Sequence, residues 1–376
     1  MKSLELLLEK KWIIKSVNKD LYYKIHNDLE EIRKFTTEKL GCQIIENSLL
    51  IKLEKIPAKP ENFMGIEYFN SSTEYVFLCM ILMFLEDKEV EEQFILSQLT
   101  EYISANFPDG NVDWTSYTNR RQLIKALRYA VQNNMIRITD GSDDVFMDAN
   151  SGEVLYENTG TSKYFMRNFT KDIMEYETPK EFEASEWFDV NEDRGIMRRN
   201  RVYKKLLFLV GMYKEHDQDE DFKYLKYYGR RLAEDLEQFF DCQLHIHKSS
   251  AYLLIGENCK IGKHFPESNT LSDIILLLNA LIHKKKKSKA WQLSVDETIH
   301  VPEIEFNRLI RTCKMQYNEG FSKEYREMPT EQFIQTVTAE MIRLTLIEQG
   351  EMAIVIRPII GKIVGEFPEG FRGEKK

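Results

Sequence analysis

The sequence predicts an α+β, mainly helical protein of tandem winged-helix domains, each preceded by a helix plus β-hairpin block. Three observations carry this. A polar-and-apolar helix, an apolar run, a polar turn and a second apolar run occur around Cys42, beginning at Asp28, and again around Cys242, beginning at Gly229. Residues 74–147 follow the order helix, helix, helix, hairpin, which is that of a winged helix. Residues 271–364 repeat the order, apart from an insert at about 284–302. The expected domains are 1–60 (helix-hairpin block), 61–155 (first winged-helix domain), 156–220 (aromatic connector and helix), 221–265 (second helix-hairpin block) and 266–376 (second winged-helix domain).

In chain order, Ile25, Leu29, Ile32 and Phe35 recur at spacings of three and four and predict an amphipathic helix over 20–40. Gln43–Glu46 and Leu49–Leu53 flank Asn47-Ser48 as a hairpin, closed by Pro57 and Pro60. Glu74–Glu86 is a dense apolar helix, and Glu91–Phe107 is a second, with Phe94, Ile95, Leu99, Tyr102 and Ile103 at helical spacing. After the Pro108-Asp109-Gly110 turn, Tyr117–Asn134 gives a third, with Leu123, Leu127, Ala130 and Val131 inward. Met135–Ile138 reads as a strand, Asp140-Gly141 as its turn and Val145–Met147 as its partner. From Leu155 to Phe188 the chain is aromatic without a period, expected to pack across a domain or subunit surface. Arg198–Tyr213 resumes a helix.

In the second copy a helix starts near Asp221 and carries Leu225, Tyr228, Leu232, Leu236 and Phe239. Strands follow at Gln243–His247 and Ala251–Ile255, then helices at Leu271–His283, Ile304–Tyr317 and Thr330–Gln349, the last with Thr330 as its cap. Ala353–Arg357 reads as a strand, with Ile359–Val364 returning after Pro358.

At 376 residues the chain exceeds the usual span of one domain, and 43% apolar residues suffice for several cores. A net charge of -9 argues against a free-standing, high-affinity nucleic-acid binder but leaves room for a local basic face. Five scattered cysteines with no CxxC pair predict neither a disulfide framework nor a zinc site. The N-terminal apolar run is too short for a signal peptide, and Tyr75–Leu85 and Leu276–Ile282 fall short of membrane-spanning length. A cytoplasmic protein with no membrane partner is expected.

Among candidate sites, Arg121, Lys125 and Arg128 share the face of the third helix opposite Leu123 and Leu127, with Arg120 at its edge. A basic helix beside a hairpin is how such folds approach DNA phosphates; a solvated helix surface is the competing reading. Arg198, Arg199 and Arg201, with Lys204 and Lys205, form a second basic run, and Lys285 and Lys286 belong to a third, Lys284–Lys287, placed in a loop. Either suits phosphate neutralisation. The last helix of the second copy has mixed charge, with Glu340, Arg343 and Glu348. His245 and His247 alternate on a strand without a third ligand nearby, and the acidic turn from Asp140 lacks calcium-loop spacing. There is no P-loop, Gly-x-Ser-x-Gly elbow or HExxH, so neither catalysis nor a cofactor is expected.

The run Tyr75-Val76-Phe77-Leu78-Cys79 through Leu85-Glu86-Asp87, then Arg120–Leu127, the Asn133–Gly141 stretch and Tyr164-Phe165-Met166-Arg167, resemble the kite-like subunit of the Wadjet anti-plasmid system, a relative of the MukE subunit of condensins. The likeness covers most of residues 60–220 and, more loosely, the remainder. It implies a tandem winged-helix protein that forms a homodimer and clasps a kleisin, which bridges the heads of an SMC-type ATPase, so that double-stranded DNA is held in the assembled complex. Hydrolysis and cleavage belong to other subunits in that family. A stand-alone tandem winged-helix regulator or replication initiator is the alternative, and it requires a base-reading helix in addition to phosphate contacts.

Overall fold

The computed structural model describes residues 2–108, 110, 112–144, 146, 153–167, 172, 175–178, 181, 194–259, 261–262, 264–351 and 353–368, without the side chains of Asn62 and Arg194. The described residues form a mixed α+β, mainly helical fold with small antiparallel sheets in a general winged-helix-like arrangement. The chain divides into two compact units, Met1–Phe63 with Phe182–Lys376, and Met64–Glu181.

The first unit opens with the helix Ser3–Glu9 and the two-residue strand β1 (Ile13–Ile14), neither foreseen from sequence. Asn18 caps the next helix, Lys19–Phe35, by accepting from the Leu21 amide at 2.9 Å. That helix buries Tyr22, Ile25, Leu29, Ile32 and Phe35, the expected stripe with one tyrosine added. A π-helical turn, Thr36–Leu40, carries it to Gly41 at φ 60°, where a Cβ would strike the Asn200 side chain at 2.5 Å. β2 (Ile44–Glu46) and β3 (Leu50–Leu53) then form the expected hairpin. Its turn is stapled by the Asn47 side chain, which accepts from the Leu49 and Leu50 amides.

The same elements recur in the same order later in this unit. The helix Arg194–Phe208, β7 (Met212–Tyr213), the helix Glu220–Glu237 capped by Asp219, β8 (Cys242–Ile246) and β9 (Ser250–Ile255) match the N-terminal series one for one. Both sheets place the third strand in the middle, as β1-β3-β2 and β7-β9-β8. Register agrees too, with Ile14 facing Leu50 and Tyr213 facing Ser250. Even the flanking bonds correspond: Lys15 N to Leu49 O and Lys214 N to Ser249 O are both 2.8 Å. Arg198–Tyr213, expected as one helix, thus ends at Phe208 and turns into a strand.

The two helix-hairpin blocks share one apolar core, in which Leu4, Ile25, Phe35 and Leu53 join Val202, Leu225, Leu236 and Phe240. Phe35 sits at the junction, with ring centroids 4.5 Å from Phe239 and 6.2 Å from both Tyr203 and Phe240. Burial of such rings dominates the energetics of a core this size. The Lys39 ammonium joins the halves again, 2.6 Å from Asp235.

The remainder of this unit packs the helices Thr270–Lys287, Glu303–Tyr317 and Thr330–Arg343 on a sheet ordered β10-β12-β11, comprising β10 (Ile299–Pro302), β11 (Ile347–Gln349) and β12 (Ala353–Ile356). Phe306, Cys313, Phe333, Val337 and Met341 are fully enclosed there. Lys284–Lys287 form the last helical turn and not a loop, which sets their charge against the negative helix end. The final helix stops at Arg343, short of the expected Gln349, because Thr345 turns left-handed at φ 54° and the chain enters β11. Glu348 therefore lies on a strand. Pro329, and not Thr330, holds the cap position, and Pro358–Gly361 makes a 3-10 turn where a return strand was expected.

In the second unit the helices Ser72–Glu86, Leu96–Asn106 and Tyr117–Gln132 lie on a sheet ordered β4-β6-β5, with β4 (Gln93–Ile95), β5 (Ile136–Asp140) and β6 (Leu155–Asn158). Two expectations fail here. Residues 93–95 are a strand pairing Phe94 with Tyr156, so the helix begins only at Leu96. The partner of β5 is Leu155–Asn158, not 145–147; Val145 and Met147 lie outside the described residues. Leu155–Asn158 is also the described start of the aromatic stretch, of which Phe169, Phe182, Trp187 and Phe188 lie outside the described residues.

Candidate nucleic-acid interface

The helix Tyr117–Gln132 buries Leu123, Ile124, Leu127 and Ala130, which turns its polar side outward. Three of its four basic candidates are held by neighbours in their own unit. Arg120 is buried, and its Nη1 donates to the carbonyls of Trp114 and Thr115 at 2.8 and 2.7 Å, tying the helix start to the preceding loop. Lys125 donates to the Tyr68 carbonyl and pairs with Glu74, each at 2.9 Å. Burial pushes the Glu74 carboxyl up, yet the bonds from Lys125 and the Asn70 amide outweigh it and leave the group below its ordinary range. Arg128 grips Asp143 with two bonds, 2.8 and 3.0 Å, and reaches Asp144 at 2.6 Å, which raises its already high pKa. Arg121 is exposed and makes no ion pair among the described residues.

The second basic run divides by helical face. Arg198 pairs with Glu220. Arg201 holds Asp221 through Nη2 at 2.7 Å and Nε at 3.0 Å, and Lys205 reaches the same carboxylate at 3.0 Å. Arg199 faces elsewhere, toward the helix Glu220–Glu237. There it lines a cavity of about 180 Å³ with Lys39, Tyr203, Tyr224, Tyr228 and Arg231. Its Nε is buried without a hydrogen-bond partner. Asp235 answers Lys39 and accepts from the Tyr203 hydroxyl. Burial, then the Asp235 contact, pushes the Tyr203 phenol up and keeps it neutral. Neither Arg199 nor Arg231 makes an ion pair at contact distance among the described residues. Burial pushes the Asp235 carboxyl up, but the Lys39 and Tyr203 contacts, followed by the Arg231 charge, hold it below its ordinary range.

Around its mouth lies a surface rich in basic and aromatic groups. Tyr227 is 81% exposed and Tyr228 40%, with ring centroids 4.7 Å apart, and the Tyr224 ring lies tilted 4.6 Å from Tyr228. Lys223, Lys226, Arg230 and Arg231 are exposed on the same helix. Guanidinium and ammonium groups take phosphates, while flat exposed rings offer stacking surfaces to bases. Arg199 was legible from sequence, but Lys39 and Arg231 were not singled out. The available signal was Tyr224, Tyr227, Tyr228 and Arg231 at spacings of seven, four and three on one helix.

Lys285 and Lys286 are exposed at their helix end, away from any acidic partner among the described residues. His245 lies 3.1 Å from the Lys362 ammonium, and the described residues hold no group of three or more His, Cys, Asp or Glu placed for a metal ion. No helix among them is long and apolar enough to cross a membrane. The mixed charge expected at Glu340 and Arg343 is a two-bond pair at 2.6 and 2.7 Å.

Residues 4–366 match the model of the family described as "Protein of unknown function (DUF2398)", and the chain belongs to that family. Comparisons with curated proteins and with solved structures returned no match.

Proposed function

We propose that this chain is a non-catalytic kite-type adaptor, built as tandem winged-helix domains each led by a helix-hairpin block. In this reading it dimerises, binds a kleisin and helps hold double-stranded DNA in an SMC-like, loop-extruding complex that defends bacteria against plasmids. The observation that carries the reading is the repetition of the main elements and strand orders along the chain, with the order helix, strand, helix, helix, strand, strand closing each copy, the second with a short extra helix, Lys323–Glu327, before its last long one. That order is the one a winged helix needs to set a helix and a hairpin side by side.

DNA contact is assigned to Arg199 and Arg231 with the tyrosines beside them, and to Arg121, Lys285 and Lys286, none of which makes an ion pair at contact distance among the described residues. Arg120, Lys125, Arg128, Arg198 and Arg201 hold the fold together and contribute to DNA contact only by shaping the surface. The bulk charge of -9 repels a polyanion, so the adaptor reading predicts weak DNA binding by the chain alone and tight binding once partners supply further contacts.

Fluorescence anisotropy with one labelled duplex, at one salt concentration, tests this. The isolated chain should bind at least about tenfold more weakly than the assembled complex. Tight, sequence-dependent binding by the isolated chain would favour the regulator instead.

A further inference from the structure

A cavity of about 350 Å³ opens between the second hairpin and the second wing, within the larger unit. Its position is fixed by the hairpin tip: the Ser249 amide donates to the Glu297 carboxylate at 2.9 Å, and the Ser249 hydroxyl shares its one proton between the Asp296 carbonyl at 2.6 Å and that carboxylate at 2.5 Å. The apolar wall comes from Ile282, Leu293, Ile299, Ile356, Pro358 and Ile360.

Its polar groups are buried and find few partners. Ser250 is 0% exposed and Tyr252 is 2%, and their hydroxyls and that of Tyr213 have only one another, in poor geometry. His247 Nε2 and Arg357 Nε are closed to solvent and make no hydrogen bond. The Arg357 guanidinium, which pairs with Glu348, lies 4.5 Å over the Tyr213 ring. Buried polar groups so poorly paired favour a ligand that completes them.

At two of these positions the repeat shows that the fold does not require a polar group. By strand register Tyr213 corresponds to Ile14 and Ser250 to Leu50, buried apolar residues whose side chains have no polar atom to satisfy. Two other positions are polar in both copies, His247 matching Asn47 by the same turn bond and Tyr252 matching Lys52. Gly211 belongs to the same arrangement, since a Cβ there would meet the Tyr252 ring at 2.6 Å.

Donors outnumber acceptors at this site. Lys286, Lys362 and His283 add cationic or donating groups at the rim, while the one lining carboxylate, Glu297, already accepts from the Ser249 amide and hydroxyl. Such a set calls for an acceptor-rich anion, and the aliphatic wall calls for an apolar body attached to it. We propose that this cavity binds a small molecule carrying a phosphate or carboxylate on an apolar, ring-sized body. The volume lies at the low end of ligand sites, so one ring and its anionic group fill it. This inference does not rest on the adaptor reading.

Calorimetric titration of the isolated full chain with phenyl phosphate, benzoate and inorganic phosphate tests it, the first two separating a phosphate from a carboxylate head. At least one aryl anion should saturate a single site, and inorganic phosphate should bind at least about tenfold more weakly. Tyr252→Phe keeps the ring, so it should weaken the aryl anion about tenfold while leaving the thermal midpoint unchanged or higher. Lys286→Glu, at an exposed position, should weaken it as well. The proposal falls if neither aryl anion gives a saturable heat, if inorganic phosphate binds as well as they do, or if Tyr252→Phe lowers the midpoint with affinity unchanged.

Discussion

Replacing Phe35 with alanine should lower the unfolding free energy of the larger unit by about 3–5 kcal/mol. Phe35 is 5% exposed and stands where the two helix-hairpin blocks meet, its ring against Phe239, Phe240 and Tyr203. Truncation removes the transfer energy of a phenyl ring and leaves a cavity between two elements that are far apart in sequence, so neither can close it by a local shift. Tyr227→Ala, on the exposed face of the helix Glu220–Glu237, should change stability by less than about 0.5 kcal/mol. Urea unfolding followed by circular dichroism measures both. Equal, small effects would mean that the halves fold without mutual support.

The second large effect concerns DNA. Reversing both Arg199 and Arg231 to glutamate should weaken DNA binding by the assembled complex about 10- to 100-fold and reduce the slope of log affinity against log salt by about 2. Both guanidiniums stand at one cavity with no carboxylate at contact distance among the described residues, so their reversal breaks no close ion pair there. Arg128→Glu makes the opposite contrast. It sets a carboxylate against Asp143 and Asp144 and should destabilise the smaller unit before it says anything about DNA. Unchanged affinity in the double reversal, with the complex intact, would remove this surface from the interface.

Long periodic segments were legible in the sequence because burial repeats at fixed spacing. The stripe Ile25, Leu29, Ile32, Phe35 is buried as expected, and the Asn47-Ser48 and Asp241–Ile255 regions make hairpins at the expected places. A strand that runs into a helix was not legible. Gln93–Ile95 runs straight into the helix at Leu96, and Phe94 satisfies both a helical and a strand pattern, so only its pairing with Tyr156 decides. The Asp140-Gly141 turn is present, with Gly141 at φ 86°, but residues 143, 144 and 146 are helical and β5 pairs with a strand further on.

The site was harder to read for a related reason. Spacing put Arg121, Lys125 and Arg128 on one face, but it carried no information about Glu74, 51 residues before Lys125, or Asp143, 15 residues after Arg128. Those carboxylates arrive through tertiary packing and convert a basic face into structural ion pairs. Arg199 and Arg231 become neighbours by the same route, through the packing of two helices.

The central claim is that this chain works as a partner-binding adaptor. Its most direct test is the mass of the complex recovered when the chain is co-expressed with the products of its neighbouring genes, among which the proposal expects a coiled-coil ATPase and a kleisin, measured by native mass spectrometry. The account predicts one particle containing the kleisin, the ATPase and two copies of this chain. Recovery of the chain alone, with the kleisin and ATPase assembling without it, would contradict the account.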